Sequence, residues 1–116
     1  HMVEMTKASG VDVEIDLDSL PILDGAQETV RLGILSSLQP ANVRLRRAVR
    51  NLNGAQEHER YPLIFDPQTS GGLLGSVPAE RAQSCLQALR ELGYGKAAIV
   101  GRVAAESDHL EPIILN

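Results

Sequence analysis

The sequence predicts an α/β (α+β) fold, a layered sandwich of helices packed on a mixed sheet. Three observations predict it. Val11, Val13 and Ile15 alternate with Asp12, Glu14 and Asp16, the period-2 signature of a half-buried strand. Ala82, Cys85, Leu86 and Leu89 recur at i, i+3, i+4 and i+7, the apolar stripe of an amphipathic helix. Residues 97–103 are so apolar that they fit a strand buried at the centre of a sheet.

The elements follow in order. Residues 3–9 read as a helical tail stopped by Gly10. The alternating strand comes next and Pro21 closes its section. Asp24 is placed as the N-cap of a short helix to about Leu32, with Gln27 three residues on and Gly33 at its end. Pro40 suits the first turn of a second helix, because its missing N–H costs nothing there. Val43, Ala48, Val49 and Leu52 give that helix its stripe, and Asn53-Gly54 stops it. Residues 55–60 read as a mobile polar loop. Residues 61–65 and 73–77 are apolar runs read as strands on either side of a polar turn. Pro78 opens the amphipathic helix and Gly93 caps it. Residues 110–115 form a last strand, where Pro112 argues for an edge position. The resulting order is β-α-α-β-β-α-β-β.

A chain of 116 residues is one domain of ordinary size, able to bury a core without disulfides or metal. Tyr61, Phe65 and Tyr94 are its only aromatic residues, so aliphatic side chains fill the interior. The net charge of −4 argues against general nucleic-acid binding, whose footprint is basic. No apolar run approaches the roughly 20 residues that cross a bilayer. The lone cysteine, Cys85, has no internal disulfide partner, which fits a reducing cytoplasm. His1-Met2 reads either as a cloning scar or as the end of a preceding helix. On both readings residues 1–10 lead into a single domain over 11–116, the C-terminal part of something larger.

The most informative stretch is Asp66-Pro67-Gln68-Thr69-Ser70-Gly71-Gly72-Leu73-Leu74. Adjacent glycines let the backbone take positive φ and bring bare N–H groups close to a ligand. Thr69 and Ser70 add hydroxyls able to satisfy the turn or reach a phosphate oxygen. This string resembles the signature of the C-terminal domain of the selenide, water dikinase (selenophosphate synthetase) family, within the aminoimidazole ribonucleotide synthetase superfamily. Ala8-Ser9-Gly10-Val11, Glu14-Ile15-Asp16-Leu17-Asp18-Ser19-Leu20-Pro21 and Leu23-Asp24-Gly25-Ala26 are similar to the segment that opens that domain. Val77-Pro78, Gly93-Tyr94 and Ala98-Ile99-Val100-Gly101 resemble its closing helix and strands. The match spans nearly the whole chain.

The resemblance implies a ferredoxin-like arrangement of the mixed sheet. It implies an ATP-dependent phosphotransferase that makes selenophosphate from ATP, selenide and water, releasing AMP and phosphate. The reactive Cys or selenocysteine, its following lysine, the glycine-rich segment and the magnesium-binding aspartates belong to the family's N-terminal domain. ATP and Mg would accordingly be bound mainly by that domain, which is the implied partner, in a parent enzyme that is a homodimer. This chain alone is expected to be inactive. The Thr69, Ser70, Gly71 and Gly72 turn would line the phosphate cleft. Two other readings stand beside this one. One is a domain of a related enzyme such as thiamine-monophosphate kinase or a hydrogenase maturation protein. The other is a non-catalytic packing or ligand-sensing module.

No catalytic constellation assembles from the residues themselves. His1, His58 and His109 lack ligand spacing to each other or to Cys85, and structural zinc wants four converging ligands. Cys85 lies on an apolar helix face, the setting of a buried, inert thiol. Asp12, Glu14, Asp16 and Asp18 would share the outer face of one strand and read as a solvated face rather than a magnesium site. Arg47 with Arg50 at i, i+3, and Arg46 with Arg50 at i, i+4, could clamp a phosphate from one helix face. A solvated face or contact with another domain is the alternative for these arginines and for Arg44. Asn42 falls in a Pro-x-Asn element that resembles the family's, without an evident role.

Overall fold

The computed structural model describes residues 1–68 and 70–116. Its centre is strand β1 (Val11–Ile15), which pairs antiparallel with β2 (Gly101–Ala105) and parallel with β3 (Ile113–Leu115). The order β2-β1-β3 makes a small mixed sheet. Five helices accompany it among the described residues: α1 (Met2–Ser9), α2 (Ala26–Arg31), α3 (Gln39–Val43), α4 (Leu52–Ala55) and α5 (Ala82–Glu91). The α+β class and the mixed sheet are as the sequence predicts. The central strand is not: the run at 97–103 supplies only an edge strand, beginning at Gly101. Gly101 is required there, because a Cβ would overlap the backbone carbonyl of Glu14 on the paired strand.

Helix α1 ends as expected at Gly10, whose φ of 59° is the left-handed conformation that glycine adopts without strain. Met2 and Val3 pack against the core and Thr6 is buried, its hydroxyl donating to the Val3 carbonyl. Residues 1–10 are therefore part of the fold.

One face of the sheet carries the core. Val13 and Ile15 of β1 and Ile113 and Leu115 of β3 meet Leu17, Ala48, Val49 and Ala55, with Leu52, Tyr61 and Ile64 at the margin. Val49 shows what this burial can override. The expected helix through 40–52 breaks into α3, a 3₁₀ segment (Arg44–Ala48) and α4, and between them Val49 turns extended to bridge Ile113. A β-branched residue gains more from pairing with a buried strand than from continuing a helix of moderate pattern.

Several other expectations are corrected. Tyr61–Phe65 is a 3₁₀ turn, not a strand, because Pro62 in its first turn fixes φ and removes a donor that a ladder would need. Residues 73–77 form no strand and lie exposed. Asp24 does not cap α2: Gly25 sits at the N-cap with φ 83°, while Gln27 hydrogen-bonds Glu59 and Asp24 lies 3.6 Å from Lys96. The polar loop before Tyr61 is fastened by Arg60, whose guanidinium donates to the carbonyls of Leu17 at 3.0 Å and Leu20 at 3.2 Å.

Candidate functional site

The signature turn is launched from a rigid platform. Helix α3 turns two side-chain amides toward the Tyr61–Phe65 segment: Gln39 donates to the Pro62 carbonyl at 2.6 Å and Asn42 to the Phe65 carbonyl at 3.0 Å. Phe65 is buried and meets the Tyr61 ring edge-to-face, with centroids 5.1 Å apart. The Asp66 N–H donates to Leu63, and the chain then leaves extended. Asn42 thus holds the last residue before the signature, which gives the Pro-x-Asn element a structural role.

Past this platform the turn is open. Thr69 lies outside the described residues. Ser70, Gly71 and Gly72 are exposed, and neither glycine adopts positive φ, contrary to the reason first given for them. What Gly71 provides is close approach: a Cβ there would lie 3.3 Å from the Gln68 Oε1 atom, whose amide nitrogen in turn donates to Asp66 at 2.9 Å. Among the described residues, positions 67–77 make no backbone–backbone hydrogen bond. The amides of Ser70, Gly71 and Gly72 remain free to bind a guest by this measure.

The arginines separate. Arg46 and Arg47 are exposed on the 3₁₀ segment after α3, and Arg46 lies close enough to Tyr61 for its charge to reach the phenol. Burial pushes the Tyr61 hydroxyl pKa up, and Arg46 opposes that shift. Arg50 points elsewhere. It donates to Asp12 at 2.5 Å, to Ser107 at 2.9 Å and to the Glu111 carbonyl at 3.0 Å. The break at Val49 is the cause, since a shared face for 46, 47 and 50 needs an unbroken helix.

The acidic residues also scatter. Asp12 is buried, and hydrogen bonds from Ser107 and Arg50 hold its carboxyl below the ordinary value. Glu14 forms a two-pronged pair with Arg102 at 3.0 and 2.8 Å, which lowers its pKa too. Asp16 caps the following turn through the Ser19 hydroxyl at 2.6 Å, and Asp18 stays exposed beside His58. The expected common solvated face does not form. Cys85 is half-buried rather than sealed.

Comparison with known proteins places this geometry. Residues 1–111 match the family described as AIR synthase related protein, C-terminal domain. The chain belongs to this family. Among curated relatives, it is 37% identical over 108 residues to selenide, water dikinase 2 of Peptoclostridium acidaminophilum, covering 93% of this chain and 31% of the relative. It is 38% identical over 110 residues to selenide, water dikinase of Caldanaerobacter subterraneus subsp. tengcongensis, covering 94% and 31%. The enzyme of Clostridioides difficile is 34% identical over 108 residues, again 93% and 31%. The chain therefore spans about a third of the length of the relatives it matches.

Proposed function

We propose that this chain works as the C-terminal portion of a selenophosphate synthetase, an enzyme converting ATP, selenide and water to selenophosphate, AMP and phosphate. The observation that carries the reading is the exposed Ser70-Gly71-Gly72 backbone, uncommitted among the described residues and held by a buried platform. Together with Thr69 it would face the phosphates of the nucleotide. Bare amides and hydroxyls stabilise charge that develops on phosphoryl oxygens, and they act best where water is excluded. Arg46 and Arg47 are placed to add positive charge, while Arg50 is withdrawn by Asp12. ATP and its Mg would be held mainly by the remainder of a longer chain, with which this portion packs in a cytoplasmic homodimer. Alone it would turn over no ATP.

Substitution of Gly71 tests the reading in the longer enzyme. The side chain of Gly71→Val would crowd Gln68 and cover the amide row. Selenophosphate formation is expected to fall by about 10²-fold, the usual loss for one oxyanion donor, with the thermal midpoint nearly unchanged. Loss of stability in step with activity would make the turn a purely structural one.

A further inference from the structure

We propose that the groove between α3 and the Tyr61–Phe65 turn is a docking site for an extended aliphatic segment of polypeptide, read through one of its main-chain amides. The groove is lined by Leu35, Gln39, Pro40, Val43, Tyr61 and Phe65 and has a volume of about 370 Å³. That is at the small end of ligand pockets, enough for one or two residues.

Two polar atoms among its lining residues define the occupant. Gln39 Oε1 and Tyr61 Oη are both buried without a hydrogen-bond partner among the described residues. Buried polar groups are paired in the great majority of cases, so two orphans in one groove mark an unfilled function. Gln39 is only 4% exposed, and its Nε2 is already committed to the Pro62 carbonyl, so Oε1 can only accept. The Tyr61 hydroxyl can donate. An acceptor beside a donor, set among aliphatic and aromatic walls, is complementary to a peptide N–H and C=O flanked by an apolar side chain. Both atoms lie just beneath the surface, so docking includes a small side-chain rotation that opens them.

A polypeptide fits better than a small polar ligand because the apolar surface continues past the groove. Ile34, Leu35 and Leu38 are all exposed on the segment leading into α3. A short ligand would leave this strip wet, whereas an extended chain crossing the groove would cover it. The source follows from the reading above that this chain is one portion of a longer enzyme: the relatives carry roughly two thirds of their length outside the matched region. The occupant is assigned to that remainder.

The test uses N-methyl-4-methylpentanamide, a single amide bearing a leucine-like chain, titrated into the isotope-labelled 116-residue protein and followed by NMR. Saturable shifts are expected at the Gln39 side-chain amide and the Tyr61 ring. Methyl 4-methylpentanoate has the same shape without the N–H and should bind at least about fivefold more weakly, as the loss of one hydrogen bond predicts. Tyr61→Phe should weaken amide binding similarly while leaving the thermal midpoint unchanged or raised, because it removes an unsatisfied group. No saturation up to the solubility limit, or equal affinity for amide and ester, would overturn the proposal. So would a lowered midpoint in Tyr61→Phe, since the hydroxyl would then already have a partner such as a bound water. In the longer enzyme the probe should fail to bind because the groove is filled, and binding there would reject the assigned source. Selenophosphate assays fail or succeed independently of these titrations, which separates the two readings.

Discussion

The molecule divides into a part that closes on itself and a part that does not. Every residue of the buried core lies between Val13 and Phe65 or in β3. Across residues 66–110 none is buried among the described positions, although α5 has the cleanest apolar stripe in the chain. Leu73 and Leu110 stand fully out, and Val103, opposite the buried Val13, is still 53% exposed. The two parts do not differ in the quality of their patterning. They differ in whether a second surface faces the stripe. A hydrophobic period says that a face wants cover, and only the tertiary arrangement supplies it.

Truncation in the core should show the contrast most strongly. Leu17 is 0% exposed and its N–H is held by the Asn116 carbonyl. Leu17→Ala is expected to cost about 3 kcal/mol, within the range for a buried leucine leaving a cavity. Chemical denaturation of the two proteins measures this directly. A cost below about 1 kcal/mol would mean that the closed part is loosely packed and the contrast is false.

Next in size is the seam between the parts. Gly101 opens β2 and has no room for a Cβ against Glu14. Gly101→Ala should lose about 2 kcal/mol, the usual cost of forced overpacking, by displacing the strand that carries residues 66–100 back to the sheet. Unaltered amide exchange across β1 and β2 would contradict it.

Acid should act on the same seam. Asp12 joins β1 to Arg50 and to Ser107, which follows β2. Its folded pKa is lowered, so its contribution is whole above the ordinary value of 3.8 and disappears as pH falls from there through the folded value. The unfolded chain takes up the proton first, and stability drops. Glu14, Asp16 and Glu59 have lowered values too, so the wild-type slope is composite. In Asp12→Asn the fall in midpoint below about pH 4 should be shallower by one group's share. Parallel curves would remove the carboxylate from the account.

How much of this could be read from residues alone follows from the range of the interactions. Gly10 as a stop, β1 by alternation, α5 by its stripe and β3 at an edge beside Pro112 are all local matters, and the structure has them. Tyr61–Phe65 misled because five apolar residues suit a strand and a buried 3₁₀ turn equally, and Pro62 was the cue that decides. Asp12 misled for a longer-range reason. A charged residue at an alternate position reads as solvated, yet a guanidinium 38 residues away covers it. The same contact removed Arg50 from the expected phosphate clamp. Within the candidate site, the Asp66–Gly72 string was legible, whereas its support was not. Gln39 and Asn42 act across 23 residues each, and only the Pro-x-Asn element hinted at one of them.

The smallest expected effect bears most directly on the open part. Leu89 sits on the apolar stripe of α5 and is 38% exposed, and no residue of that helix is buried. If the stripe has no partner within the 116 residues, Leu89→Ala loses little area and gains slightly in helix propensity, so the change should stay within about 0.5 kcal/mol. Cys85, on the same stripe, offers a second measurement without mutation. Half-buried beside no partner, it should react with a thiol reagent in the native protein at a rate approaching that of the unfolded chain. In a longer enzyme that covers this face, both results should reverse: Leu89→Ala becomes costly and Cys85 is protected. A costly Leu89→Ala in the 116-residue chain itself would show that α5 already docks on the sheet in solution, and the division between the two parts would then belong to one conformation rather than to the protein.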